Sequence, residues 1–576
     1  MSRDVFTLLV GGKAGEGVKK SASVAASHLA GIGRHVFQMD DYQSLIRGGH
    51  NFSVVSSAAR EVTSHHESAD LVVALDARSY ELHRERVADG GVLVYNADEV
   101  SGGQGVGLPM SSEAAGYPRS ELRVGVAGPA AFAAAIGLDR AAMEDLVRRE
   151  YPRDAENNVA YAGAVYDAAL PALGGRFRLE RGERPLRIVS GNEAIGLGAA
   201  AAGLDAYFAY PMTPSSSLLH FLAARNEDLG ITVVHPESEI AVANMAIGAA
   251  FAGARTMVGT SGGGFALMVE ALSLAGMTET PLLCLLAQRS GPSTGVPTCT
   301  EQADLWFALH CGHGEFPRVV AAPGSVEEAF RLTAEMLALV WRWQVVGILL
   351  SDKHLSESSV TAELDPAGAP WAGPLDRAGG VPAASGGAPV GAGGAGGGRP
   401  YRRYAETADG VSPLLFPPSR ELIKWNSYEH DEAGITTEDA GVIARMHEKR
   451  LRKAEAVRAA VERLTTVNTH GRGDLTVFAY GSTTMSVLEA LRVGGIEATV
   501  VQPIYLEPFP VLALAQYRGS APIVVEQSAG GQFARLLEER GGVRAGAVIR
   551  RYDGRPFDPG ALADGIRAAA ARRERQ

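Results

Sequence analysis

The sequence predicts a multidomain α/β protein, on three observations. Its 576 residues exceed what one hydrophobic core supports, and at roughly 150 residues per domain three or four units are expected. A hydrophobic fraction of 46% against 21% charged residues is that of a globular chain. Short apolar runs alternate with Gly- and Ala-rich stretches, as they do when helices lie close against parallel sheets.

The first unit, 1–178, opens with an apolar strand at 5–10, a glycine-rich turn, Gly11-Gly12-Lys13-Ala14-Gly15-Glu16-Gly17, and a small-residue helix at 19–29. Further strands are predicted at 35–38, 51–56, 71–74 and 92–95. A charged connector at 176–187 precedes a second unit, 188–360, with strands at 206–210, 232–235, 256–259, 281–287, 318–321 and 346–351. That rhythm predicts a doubly wound parallel sheet. Residues 361–400 contain GGVPAASGGAPVGAGGAGGGRP, too poor in apolar bulk to order itself, and are read as a flexible insertion. The segment 401–465 has few strand signals and a basic helix at 443–464, so it is expected to be an arm lying against a partner. The α/β rhythm returns in a smaller C-terminal unit, 466–576, with strands at 475–480, 498–501 and 523–526.

Bulk properties exclude several classes. A net charge of −11 repels phosphate backbones, so nucleic acid is not an expected partner. The apolar run at 6–10 is too short for a signal-peptide core, and the most apolar window, 336–350, is broken by Arg342 and Gln344. A cytoplasmic location without a membrane anchor is therefore expected. Cys284, Cys299 and Cys311 form no C-x-x-C pair, so neither an iron–sulfur cluster nor a zinc site is expected on this chain.

The glycine turn at 11–17 fits neither the dinucleotide fingerprint nor the P-loop spacing. Gly12, Gly15 and Lys13 could still approach a phosphate at the following helix, or the turn could be merely tight. Arg47, beside Gly48-Gly49, lies in a binding loop or a plain turn. In the second unit Thr213, between Pro211 and Pro214, sits where α/β sheets place ligands, with helix capping by Thr213 or Ser215 as the alternative. Glu237 and Glu239 open a helix whose dipole would favour them regardless of function. Gly262 and Gly263 let a ligand approach the backbone, or start a turn. Arg289 ends a buried strand, which calls for a structural acid or a substrate carboxylate beside it.

Taken in order, YPMTPSSS, PESEIAVANMAIGAAFAGA, TSGGGFALMVEAL, LAQRSGPSTGVPTCTEQADL and LSDKHLSES resemble the pyrimidine-binding domain of the 2-oxoacid:ferredoxin oxidoreductases. The front unit is similar to that family's gamma-type domain, and FAYGSTTMSVLEAL, VVQPIYLEPFP and VVEQSAGGQFARLL to its C-terminal, transketolase-C-like domain. YRRYAETADGVSP with EHDEAG and KRLRK resembles the arm of the 2-oxoglutarate type.

The resemblance implies thiamine diphosphate as cofactor. Glu239 would hydrogen-bond N1′ of the aminopyrimidine and favour the imino tautomer that deprotonates thiazolium C2, while Thr213 and Arg289 would hold the 2-oxoacid carboxylate. It also implies a beta subunit carrying the Mg²⁺–diphosphate site and a [4Fe-4S] cluster, ferredoxin as electron carrier, coenzyme A as co-substrate, and an (alpha-beta)₂ heterotetramer. No metal ligand is expected on this chain, and the gamma-type domain is expected to form one wall of the coenzyme A site. The expected reaction is conversion of 2-oxoglutarate to succinyl-CoA and CO₂, or its reverse. Alternatives are the same chemistry on pyruvate or another 2-oxoacid, and a non-catalytic scaffold.

Overall fold

A computed structural model describes residues 4–44, 49–370, 401–419 and 421–573. The front unit supplies β1 (Val5–Lys13), β2 (His35–Asp41), β3 (His50–Ala58), β4 (Ala69–Ala74), β5 (Val87–Asn96) and β6 (Val106–Leu108). Then come β7 (Ile188–Ser190), β8 (Ala206–Phe208), β9 (Thr232–Val234), β10 (Thr256–Thr260), β11 (Leu282–Gln288), β12 (Arg318–Ala321), β13 (Val346–Asp352) and β14 (Ser359–Thr361). The last strands are β15 (Val467–His470), β16 (Leu475–Phe478), β17 (Ala498–Pro503), β18 (Tyr505–Glu507), β19 (Ile523–Glu526) and β20 (Ala547–Arg550).

These strands form three sheets. The first runs β6-β5-β4-β1-β3-β2-β14-β7. Its central β1 is buried along nearly its whole length, because helices cover both faces; Ala22, Ala25, Ala26 and Leu29 of the helix Val18–Gly31 pack against it. The sheet does not stop at the charged connector. β7 and β14, from either end of the second unit, extend it antiparallel beyond β2, with Val360 opposite Phe37. This covers what would otherwise be an open edge at β2.

The second sheet runs β18-β12-β13-β11-β10-β8-β9. It is parallel from β9 to β12, as the doubly wound reading requires. β18 closes its edge antiparallel from the C-terminal unit, whose own sheet is β15-β17-β16-β19-β20. The first two sheets thus borrow strands across the sequence boundaries, and the units interlock.

The arm expected from the sequence lies, over residues 401–419 and 421–461, on this chain's own second unit. Val411, Leu414 and Phe416 enter the main core with Val457 and Val461 of the helix Ala440–Val461. Tyr404 stacks on His430 at 3.7 Å. The basic residues Lys449 and Lys453 are fully buried and both close on Glu279, so they serve internal ion pairing. Of the 361–400 insertion, residues 361–370 are described and include a helical turn, Pro366–Gly368; residues 371–400 lie outside the described residues.

A second ionic contact joins the front and C-terminal units. Glu489, on the helix Thr483–Gly494, is buried. It is reached by Arg60 at 3.2 Å, His66 at 3.1 Å, Arg492 at 2.7 Å and the Thr63 amide at 3.1 Å. Burial alone would raise its pKa, but these donors, His66 and the Thr63 amide foremost, hold it down to about 2. A carboxylate depressed in this way contributes stability above its ordinary value of 4.5, lost as pH falls towards 2. Acid titration of Glu489→Gln should therefore show a flatter loss of stability over that interval than the unsubstituted chain, read by circular dichroism in denaturant.

Among the described residues no helix is long and apolar enough to cross a membrane.

Candidate active site

The site lies at the carboxyl ends of β8, β9, β10 and β11, where parallel sheets open towards ligands. β9 leads through Pro236 into the helix Glu239–Phe251, capped by Ser238, whose hydroxyl accepts the Ala241 amide at 3.4 Å. Tertiary packing separates the two candidate glutamates. Glu237 is exposed, whereas Glu239 is 4% exposed and its Oε1 has no hydrogen-bond partner among the described residues. Leaving a carboxylate oxygen both dry and unsatisfied is costly, so this atom is a candidate acceptor for an outside donor.

The facing wall is the start of the helix Gly262–Met277, reached from β10 through Ser261. A Cβ at Gly264 would come within 2.6 Å of Glu239 Oε1, so only glycine allows this approach. Of the two glycines predicted from the sequence, Gly263 is open to solvent and Gly262 faces Asp304, where a Cβ would lie 2.6 Å from Oδ2. Gly264 makes the closest approach to the carboxylate, and only the packing of two helices reveals that.

Met212 ties this wall to the next. Its Sδ accepts the Gly264 amide at 3.3 Å and lies 3.9 Å from Thr260 Oγ1. Its chain neighbour Thr213 presents its carbonyl to Arg289, whose guanidinium donates at 2.8 Å. Ser215 makes no side-chain cap to the helix Ser216–Ala224; its hydroxyl turns back to the Met212 carbonyl at 2.8 Å. Asn192 holds the other side of this turn, donating to the Pro214 carbonyl at 2.8 Å and to Ser217 Oγ at 2.6 Å, with its own Oδ1 buried and unpartnered. Contacts therefore run from Glu239 through Gly264, Met212 and Thr213 to Arg289.

Arg289 is half-buried, and burial lowers its pKa while Asp304 opposes that change; a guanidinium stays charged all the same. Asp304 is pushed up to about 6 by burial and by Glu301, against the pull of Arg289. Sequence reasoning passed over Asn192 and Asp304, because neither carries a spacing that separates it from ordinary loop residues, and it did not single out Gly264 within the glycine run Gly262-Gly263-Gly264.

The front-unit candidates behave differently. The Lys13 ammonium pairs with Glu99 at 3.0 Å and approaches Glu16 at 3.9 Å, and the Lys13 amide donates to Glu16 Oε2 at 2.8 Å. That carboxylate fills the space beside Gly12, 2.8 Å from a Cβ built there. Gly15 and Gly17 adopt the positive φ values, 98° and 82°, that the turn needs. In this structure the turn's own Glu16 carboxylate lies beside Gly12 and Lys13. Arg47 lies outside the described residues.

Two cavities lie away from this site. One, about 740 Å³, lies between the front and C-terminal units beside Glu327, Arg472 and Arg492, and none of the site residues lines it. A second, about 420 Å³, is lined by Tyr42, His50, Arg78, Arg86, Cys299 and Arg555, where the front unit meets the loop after Arg289.

Comparison with known proteins identifies the family of the chain. Residues 197–372 match the family model described as pyruvate flavodoxin/ferredoxin oxidoreductase, thiamine diphosphate-binding, and residues 7–168 match that of pyruvate ferredoxin/flavodoxin oxidoreductase. The chain is 29% identical to subunit alpha of 2-oxoacid:ferredoxin oxidoreductase 2 from Aeropyrum pernix, over 96% of both chains. It is 30% identical to the 2-oxoglutarate oxidoreductase subunit KorA of Mycobacterium tuberculosis, over 68% of this chain and 60% of that one. A 2-oxoglutarate:ferredoxin oxidoreductase from Magnetococcus marinus, solved with 2-oxoglutarate, coenzyme A and succinyl-CoA bound, superposes with a TM-score of 0.86 at 26% identity, covering 99% of this chain and 100% of that one. With two family models on its two large N-terminal units and similarity along its whole length, the chain belongs to the 2-oxoacid:ferredoxin oxidoreductase family.

Proposed function

We propose that this chain is the alpha subunit of a 2-oxoglutarate:ferredoxin oxidoreductase, which converts 2-oxoglutarate and coenzyme A to succinyl-CoA and CO₂ while reducing ferredoxin, or runs the reverse carboxylation. The observation that carries the reading is the buried, unpartnered Oε1 of Glu239 within the wall that Met212 joins to Thr213 and Arg289. An unpaired acceptor and a cradle that only glycine leaves open fit a thiamine aminopyrimidine. Thiamine diphosphate, when bound, supplies the electron sink that a 2-oxoacid decarboxylation needs. Glu239 would accept a hydrogen bond from N1′–H and so favour the imino tautomer, in a dry site where that bond is strengthened. Arg289, fixed by one nitrogen on the Thr213 carbonyl, keeps its others for the carboxylate beside the 2-oxo group.

The partner's contribution follows from what lies around the site. Tyr210, Ile240, Met245 and Leu267 are all more than a third exposed, an apolar rim of the kind that marks an interface. A beta subunit seated there would exclude water from Glu239 and bring the Mg²⁺–diphosphate site and the [4Fe-4S] cluster, for which three separated cysteines provide no ligand set. Ferredoxin then draws electrons from that subunit, in an (alpha-beta)₂ assembly. Coenzyme A would enter through the 420 Å³ cavity, where Arg78, Arg86 and Arg555 suit its phosphates. The gamma-type unit is thereby one wall of its path, in place of the glycine turn.

The test is coenzyme A-dependent viologen reduction by the co-assembled subunits with a panel of 2-oxoacids. Turnover is expected to favour 2-oxoglutarate; preference for pyruvate would reassign the substrate, and no turnover with any 2-oxoacid would leave a scaffold role. Arg289→Ala should raise KM for the 2-oxoacid by about 10- to 100-fold, the range of one charge-assisted hydrogen bond. An unchanged KM would remove Arg289 from the site.

A further inference from the structure

We propose that Asp304 is a proton-linked positioning residue, which takes up a proton when the 2-oxoacid binds and then donates a hydrogen bond to the carboxylate that Arg289 holds. The proposal rests on the 2-oxoacid reading of the site. Asp304 and Arg289 hang from one anchor. Gln288, the residue before Arg289, accepts the Asp304 amide at 3.0 Å through Oε1, and its Nε2 donates to the Ser351 carbonyl at 3.2 Å. The Asp304 carboxyl is thereby aimed at the glycine turn, with Oδ2 against Gly262, two residues from the glycine that touches Glu239.

This carboxyl lacks the partners that a structural aspartate has. Among the described residues it accepts no hydrogen bond and joins no ion pair, and Arg289 acts on it only at longer range. Three groups couple to it: Glu301, which disfavours its charge, Arg289, which favours it, and the buried phenol of Tyr480. Glu301 is itself engaged by Ser290 Oγ at 2.8 Å. The balance leaves Asp304 at about 6, already partly protonated just below neutrality.

A substrate carboxylate brought to Arg289 adds a negative charge beside the half-buried Asp304, and a like charge nearby favours the neutral acid. Asp304 then takes one proton from solvent, and its O–H points at the anion it would otherwise repel. When the carboxylate departs as CO₂ the charge disappears, and the proton returns to solvent. Asp304 is neither nucleophile nor electron carrier, so no other reactant enters the balance.

Two measurements on the co-assembled enzyme test this. In wild type, KM for 2-oxoglutarate should rise by about tenfold per pH unit above about pH 6 until the bound-state pKa is passed. Asp304→Asn, which keeps a donor at every pH, should show a flat KM over the same range. An Asp304→Asn slope equal to that of wild type overturns the proposal. Titration calorimetry of wild type with 2-oxoglutarate at pH 7.5, in two buffers of different ionisation enthalpy, should report uptake of about one proton; none taken up also overturns it, and this readout needs no variant to fold. Failure of the proposed function itself looks different, since no 2-oxoacid would then turn over at any pH.

Discussion

Replacing Glu239 by glutamine is expected to lower kcat for 2-oxoacid-dependent viologen reduction by about 10²- to 10⁴-fold, the span of one positioned acid–base group. Glutamine preserves the volume against Gly264 and can still hydrogen-bond, but it cannot take the place of a carboxylate at N1′. Because Glu239 is buried, water does not stand in for the lost charge. The neighbouring Glu237 supplies the internal control. It is exposed, and Glu237→Gln is expected to change kcat by less than about twofold. Should Glu239→Gln keep more than a third of wild-type turnover, Glu239 is only a helix-terminal charge and the cofactor reading of its orphan oxygen is wrong.

Glu279→Ala is expected to destabilise the protein by about 3–5 kcal/mol, the usual cost of removing one partner from a buried ionic group. Glu279 lies 3% exposed and receives Lys449 at 2.5 Å together with Lys453. Arg403 donates to the Thr278 and Glu279 carbonyls at 3.0 and 2.8 Å. Burial opposes the carboxylate, but the two ammonium groups and Arg403 hold it well below the usual carboxylate range. The same burial pushes Lys453 down to about 7. Without Glu279 two cations would face each other in a dry interior, and the helix Ala440–Val461 would lose its hold on the second unit. The urea midpoint should fall, and proteolysis should begin between 401 and 440. Replacing Glu279, Lys449 and Lys453 together by methionine should restore much of the loss, since a packed apolar replacement leaves no unpaired charge. If the single variant is as stable as wild type, the cluster does not anchor the arm.

How far the site could be read from the chain differed residue by residue. Thr213, Glu239 and Arg289 lie at strand ends, within motifs whose order along the chain carries the resemblance, and the fold brings all three to one sheet edge. The front glycine turn stayed open from the sequence because glycine before a helix is compatible with anion binding and with a bare turn alike. The fold adds a local contact, the Glu16 carboxylate seated beside Gly12. Asp304 was invisible because its interest lies in what it lacks: a counter-charge within reach is a property of neighbours 15 or more residues away in sequence, such as Arg289.

The basic stretch at 443–464 shows the same limit. A run of Lys and Arg on a helix reads as a solvated or partner-facing surface, because burying ammonium groups is costly without compensation. Glu279, about 170 residues away, supplies that compensation. Strand exchange among the sheets was equally hidden, since β7, β14 and β18 are each three residues long, too short to leave a periodic signal.

By itself the sequence determined the class of architecture and the parallel core of the second unit, and its resemblance to a family singled out Thr213, Glu239 and Arg289 as candidates. Apolar periodicity and strand–turn–helix order are local, and local patterns survive in a one-dimensional reading. Tertiary structure decided which of two glutamates is dry, which glycine makes room for it, whether a lysine is free or neutralised, and which aspartate stands without a counter-ion. Each of these depends on burial and on charge pairing between distant segments. Both arise only when desolvation and Coulomb attraction are set by the folded surroundings, so neither is written in any short stretch of the chain.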